Sequence, residues 1–120
     1  MKFQIEKKDK VSIVSSKVDK LDAIQAPELK SELVMLNKSG ERNIVLDLSD
    51  TRYCDSSGLS AVLVANRLCR DAQGSFVLCG LQSAVSKLIT ISQLDTVLKI
   101  TPTLNEAVDL VYMEELERNV

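Results

Sequence analysis

The sequence predicts a single α/β domain over residues 1–120, with helices packed on a mixed, mostly parallel β-sheet in the order β-β-α-β-α-β-α-β-α. Three observations predict it. Short apolar or β-branched runs alternate with longer stretches of helical periodicity, the pattern of strands joined by crossover helices. No repeat, linker or low-complexity stretch interrupts that alternation. The length of 120 residues is one core's worth, because two halves would each be too small to bury a stable interior.

Phe3 and Ile5, expected to face inward, alternate with polar neighbours up to Lys7, and Val11 to Val18 is rich in β-branched residues, so a β-hairpin turning at Asp9-Lys10 opens the fold. Pro27 suits the first turn of a helix whose Leu29, Leu33 and Leu36 make an apolar stripe ending near Ser39-Gly40. Asn43 to Ser49 reads as a central strand, too apolar for an exposed edge. Ser57 to Asp71 is helical, with Leu59, Ala61, Val62, Leu63, Ala65 and Leu68 covering more than one face until Gln73-Gly74 stops it. Ser75 to Cys79 is the next strand, Ala84 to Ile91 a short helix, and Val97 to Ile100 a last strand ended by Pro102. Thr103 with Glu106 is a capping box that opens a final helix through Leu104, Val108, Val111 and Leu116. Right-handed crossovers make the later strands parallel, while the opening hairpin is antiparallel. In such sheets function sits where a strand's carboxyl end feeds a helix.

Composition excludes several classes of function. The chain has 15 Lys and Arg against 17 Asp and Glu, a net charge of −2, with no long basic run and few aromatics, so direct binding to nucleic acid is not expected. It has no histidine, which removes the Ser-His-Asp triad, the imidazole base and His metal ligands. A catalytic serine would need another base, and Lys87 is the one substitute, with nothing to pair it to Ser57. No P-loop glycine pattern is present. Cys54, Cys69 and Cys79 are an odd number without CxxC spacing, which fits neither a disulfide framework nor a zinc site and suggests a reducing compartment. The start lacks an apolar signal region, and the longest uninterrupted apolar run, Ala61 to Ala65, is far short of a membrane span. The expectation is a cytoplasmic, soluble, non-enzymatic protein with no cofactor, no metal and no membrane partner.

The chemistry concentrates at the junction of the central strand and the buried helix, Asp47-Leu-Ser-Asp-Thr-Arg-Tyr-Cys-Asp-Ser-Ser-Gly-Leu59. Asp55 or Ser56 can cap the helix by accepting its free amide hydrogens, which leaves Ser57 in the first turn, pointing outward. A phosphate on Ser57 would meet those same amides and the positive end of the helix macrodipole. Gly58 has no side chain, so a second protein could approach the serine closely. The plainer reading is that Asp-Ser-Ser-Gly is a helix cap and nothing more. Glycine inside a first helical turn is harder to explain that way.

The stretch Asp47-Leu48-Ser49 followed by Cys54-Asp55-Ser56-Ser57-Gly58-Leu59 resembles the signature of STAS domains, specifically bacterial anti-sigma factor antagonists. The resemblance covers essentially the whole chain. Lys20 to Leu29 looks like the family's acidic loop and first helix, and Ser75 to Gly80 with Ser83 to Leu94 follows its usual strand and short helix. It implies partner switching: the unmodified protein binds an anti-sigma factor that is also a GHKL-type serine kinase, freeing a sigma factor for transcription. The kinase phosphorylates the second serine of the motif, which falls on Ser57, and a PP2C-type phosphatase restores it. The family's acidic residue beside this site matches Asp22, and the motif aspartate matches Asp55. The switch surface so implied is Asp22, Asp55, Ser56, Ser57 and Gly58. Asp22 on residue preference alone begins a turn before the Pro27 helix. Asp19 and Asp50 stand where the family often has glycine, and Arg52 and Cys54 where apolar residues are frequent. These departures alter the charge around the serine. Cys54 is either a redox-sensitive thiol or a small buried hydrophobe. An alternative of another class is a STAS subunit of a transport complex or a stress-sensing assembly, without a sigma factor. Retention of Ser56-Ser57 favours switching.

Overall fold

The hairpin forms where the alternation placed it. Strands β1 (Phe3–Lys7) and β2 (Ser12–Ser16) pair antiparallel with Ile5 opposite Val14, and the Lys8 amide donates to the Val11 carbonyl across the turn at 2.9 Å. The computed structural model describes residues 2–119. After the hairpin come a two-residue strand β3 (Lys20–Leu21), helix α1 (Ala26–Lys38), β4 (Ile44–Asp47) and a second two-residue strand, β5 (Tyr53–Cys54). Helix α2 (Ser56–Asp71), β6 (Phe76–Cys79), α3 (Ser83–Ile91), a 3-10 turn (Leu94–Thr96), β7 (Lys99–Thr101) and α4 (Leu104–Arg118) complete the chain.

The main sheet has the order β1-β2-β4-β6-β7, parallel in every pairing except β1 with β2. Each crossover from β2 to β4, β6 and β7 steps in the same direction, so right-handed connections carry α1, α2 and α3 onto one face. There Leu29, Leu33, Ala61, Val62, Val85 and Ile89 meet Phe3, Val14, Ile44, Leu46 and Leu78. Helix α4 covers the other face, where Ala107 and Val111 meet Val11, Ile13, Val45, Val77 and Cys79. Ile44 and Leu46 thus face one layer and Val45 the other, which is why this strand reads as an unbroken apolar run.

Four expectations need correction. Ile5, read as facing inward with Phe3, is 40% exposed, because β1 is an edge strand and only Phe3 of its residues is buried. The strand read at Val97 to Ile100 begins at Lys99, because the amides of Val97 and Leu98 donate to the Leu94 carbonyl and hold the 3-10 turn. The two short strands β3 and β5 form a separate parallel ladder that the sequence reading does not contain. The final helix does not use Leu116 for the core: that side chain is 68% exposed, and the buried position on the last turns is Glu115.

Glu115 is buried because it is fully engaged. Its Oε1 accepts from Asn43 Nδ2 at 2.8 Å and from an Arg118 Nη at 2.6 Å, and its Oε2 accepts from an Arg42 Nη at 3.0 Å. Asn43 Oδ1 in turn accepts the Ser75 amide at 2.8 Å, and Arg118 donates to the Ser75 hydroxyl at 2.9 Å. Asn43 and Ser75 immediately precede β4 and β6, so this network fastens α4 to the amino-terminal edge of the sheet. The bond from Asn43, followed by those from Arg118 and Arg42, pulls the Glu115 carboxyl down to about 2.

That depression fixes the sign of an acid response. Glu115 contributes fully above its unfolded-state pKa, about 4.3, and the contribution is lost as pH falls toward about 2. Glu115→Gln is expected to lower stability at neutral pH by about 1–3 kcal/mol, since Arg42 keeps no acceptor. Thermal melts from pH 7 to pH 2 check both points: the variant should start lower and lose less on acidification. An acid limb identical to that of the parent chain would contradict the assignment.

Candidate functional site

The loops that matter gather at the opposite, carboxyl-terminal edge of the sheet. Thr51, fully buried, shares a 2.8 Å hydrogen bond with the Ser16 hydroxyl and lies within 2.8 Å of the Val18 carbonyl. The amides of Arg52 and Tyr53 both donate to the Asp19 carbonyl, at 2.9 and 3.1 Å. These bonds start the β3–β5 ladder, with Lys20 beside Tyr53 and Leu21 beside Cys54, and the Asp55 amide extends it by donating to the Leu21 carbonyl at 3.3 Å. The ladder carries Asp22 and Asp55 to one rim. Both line a cavity of about 380 Å³ together with Lys20, Tyr53 and Cys54.

Asp55 is the helix cap. Its backbone is extended, and its Oδ1 accepts the amides of Ser57 at 2.8 Å and Gly58 at 3.1 Å. Ser56 therefore opens α2 and is exposed, while Ser57 is half-buried at the second helical position. Asp22 builds a turn of its own: its Oδ1 accepts the amides of Ile24 at 3.1 Å and Gln25 at 3.2 Å, and its carbonyl accepts from Ala26, where α1 begins. Ser56, Ser57 and Ser60 line a neighbouring groove of about 550 Å³, faced by Ala23, Pro27 and Lys30 from the α1 side.

The structure thus brings Asp22 to Asp55 and Ser56 to Ser57, in two adjoining depressions. It revises two details. The sequence reading offered the first amides of the helix both to a cap by Asp55 or Ser56 and to a phosphate on Ser57; Asp55 is the cap, and it already takes the amides of Ser57 and Gly58. Gly58 belongs to no open surface, because it is buried and its bare Cα lies against the Leu21 carbonyl and Cys54. A Cβ there would overlap the Leu21 oxygen and stand 2.5 Å from Cys54 Sγ. The glycine is demanded by the close approach of α2 to β3 within the domain.

The departures in charge largely pair with one another. Arg52 holds the Asp19 carboxylate in a two-pronged ion pair at 2.5 and 2.8 Å, and its guanidinium lies 5.5 Å from the Tyr53 ring centre. Lys17 meets Asp50 at 3.1 Å. The Arg52 bond holds the Asp19 carboxyl below its usual value and raises Arg52 in turn. These exposed pairs orient the loops and add little stability. Burial, with a smaller push from the Asp55 charge, raises the Cys54 thiol to about 11. That is the setting of a packing residue, since a reactive cysteine needs its thiolate.

Three surface residues escaped the sequence reading. Ile24 is 79% exposed in the Asp22 turn, Tyr53 is 50% exposed on β5, and Lys30 faces Ser57 across the groove. Neither Ile24 nor Tyr53 carries a periodicity that marks it in the sequence: Ile24 sits in the turn that Asp22 builds, and Tyr53 in the two-residue ladder. For Lys30, the helical register of α1 was the available signal, since it follows the buried Leu29 by one position.

Comparison with known proteins places the chain and its fold in a family. The family model for the STAS domain matches residues 2–107. A protein of Bordetella bronchiseptica named as an anti-sigma factor antagonist, BtrV, is 38% identical over 72 residues, 60% of this chain and 62% of that relative's length. The anti-sigma-B factor antagonist of Listeria monocytogenes is 28% identical over 82% of this chain and 86% of its own. Among solved structures, an anti-sigma factor antagonist of Thermotoga maritima superposes with a TM-score of 0.85 at 26% identity, covering 92% of this chain and 94% of that one.

Two outcomes follow from the packing at Gly58 and Cys54. Alanine in a helix is ordinarily better than glycine by about 0.5–1 kcal/mol. Gly58→Ala should reverse that sign and destabilise by about 1–3 kcal/mol through overpacking against Leu21, read as a drop in melting temperature. In the native parent chain, alkylation at pH 8 should modify Cys54 about a hundredfold more slowly than a free thiol, because its thiolate fraction is lowered to that extent. Rapid labelling of Cys54 at that pH would restore the redox reading.

Proposed function

Since the chain belongs to the STAS domain family, we propose that it is a cytoplasmic anti-sigma factor antagonist, a non-enzymatic binding module whose affinity is switched by phosphorylation of Ser57. The observation that carries this reading is the position of Ser57. It is fixed at the second residue of α2 by an aspartate that leaves the hydroxyl free, and it opens on a groove beside the acidic cavity of Asp22 and Asp55. Exposed Ile24 and Tyr53 supply apolar anchors on the same rim, the kind of side chain that dominates docking energetics. The chain has no histidine to make the serine a nucleophile. Among the described residues no helix is long and apolar enough to cross a membrane.

The partner in this reading is an anti-sigma factor of the GHKL-type serine kinase class, and a PP2C-type phosphatase reverses the modification. In the unmodified state the partner covers the Ser56-Ser57 turn and the anchors beside it, releasing its sigma factor to transcription. Phosphorylation places about −1.5 to −2 charges on Ser57. Docking would then have to strip water from a dianion next to the Asp55 carboxylate, a penalty that binding surfaces seldom recover. A loss of about 1.4 kcal/mol is already tenfold in affinity.

Ser57→Ala should escape phosphorylation by the cognate kinase while binding it almost normally, whereas Ser56→Ala should still be labelled. Ser57→Asp should bind at least tenfold more weakly by calorimetric titration, with a melting temperature within a few degrees of the parent. Label appearing on Ser56 with Ser57 spared would move the switch residue. Weak binding of Ser57→Asp that tracked a collapsed melting temperature would show that the charge acts by unfolding.

A further inference from the structure

We propose that Lys30 is the counter-ion of the phosphate on Ser57, pinning it in the α1–α2 groove; this rests on Ser57 being the modified residue. A phosphoserine brings a dianion with three strong acceptor oxygens, and these need donors. The amides of Ser57 and Gly58 cannot supply them, because Asp55 Oδ1 already accepts both. The groove that Ser57 opens onto supplies others. Lys30 is its one charged lining residue, and the hydroxyls of Ser31 and Ser60 lie along the same walls.

Lys30 is also free to take that place. It is exposed on α1 and enters no ion pair among the described residues, whereas Lys2, Lys7, Lys17 and Lys99 are each paired with a carboxylate. The charges at this edge are sorted between the two depressions. Lys20 lies in the acidic cavity with Asp22 and Asp55, while Lys30 is in the serine groove. A phosphate on Ser57 therefore has the Asp55 carboxylate behind it and Lys30 in front. Attraction on one side and repulsion on the other hold the dianion over Ala23 and Pro27, where a docking partner would lie. The charge that blocks docking is then fixed in place, and it turns α1 into part of the switch.

The test uses the full chain with phosphoserine genetically encoded at position 57, so that no kinase is needed, and follows its second ionisation by phosphorus NMR. That step lies at about 6 in a free phosphoserine. The groups facing the phosphate are Lys30 from α1 and Asp55 from the cap, with Asp22 in the adjoining cavity. Asp55 and Asp22 are unchanged in every variant. Lys30→Gln should raise the phosphate pKa by about half a unit or more, while Lys30→Arg should keep it near the parent value. An unchanged pKa in Lys30→Gln, or an equal rise in both variants, would overturn the proposal. Phosphorylation of the unmodified chain by the cognate kinase is measured separately. Labelling away from Ser57 would defeat the switching assignment, whereas the encoded phosphoserine decides the role of Lys30 by itself.

Discussion

The close approach of α2 to β3 is the constraint on which the rest of the site depends. At Gly58 the helix comes so near the Leu21 carbonyl that a single methyl group would overlap it. Because the helix starts there, Asp55 lies where its carboxylate reaches the amides of Ser57 and Gly58, and its own amide reaches Leu21. Because Leu21 is held, Asp22 follows at the rim and turns the chain into α1. The two-residue ladder is too short to stand alone, and it is secured from below by Thr51 and from outside by the Asp19–Arg52 pair. The serine is thus positioned by backbone packing. Among the described residues its own hydroxyl takes no part in these bonds.

The buried ion network and the proposed switch lie at opposite edges of the sheet. The buried carboxylate of Glu115, with Arg42, Asn43 and Arg118, locks α4 to the amino-terminal edge. The loops that carry Asp22, Asp55 and Ser57 leave the carboxyl-terminal edge, where parallel sheets present helix starts and free loop ends. The two apolar layers between them, one under α1 to α3 and one under α4, separate these tasks. A charge added at Ser57 meets a capped helix, a lysine and solvent, and meets none of the network that fastens α4. A local response is the expected consequence.

Much of this was legible in the sequence. The order of the long strands and the helices, the parallel crossovers and the capping box at Thr103 and Glu106 all follow from periodicity and turn chemistry, and Thr103 does accept the Glu106 amide. The cluster from Asp55 to Gly58 was visible as the place of chemistry, and so was the turn-forming tendency of Asp22. What was hidden depended on tertiary partners. Two residues of β3 carry no period, so the ladder could not be read from Lys20-Leu21 or Tyr53-Cys54 alone. Leu116 fits an apolar stripe and Glu115 does not, yet Arg42 and Asn43, more than seventy residues earlier, reverse their burial. Gly58 read as an opening for a partner, since a missing side chain does not say which neighbour fills its space.

The central claim is that charge at Ser57 acts where it sits and leaves the packing beneath it intact. Amide hydrogen exchange, compared between the unmodified chain and the chain carrying phosphoserine at position 57, tests this most directly. Altered protection should be confined to the Ser56 to Ser60 turn and the facing start of α1, with β4, β6 and the rest of α2 unchanged. Loss of protection running along α2 and into β4 and β6 would contradict the account, because the phosphate would then be loosening the approach at Gly58 that holds the site together.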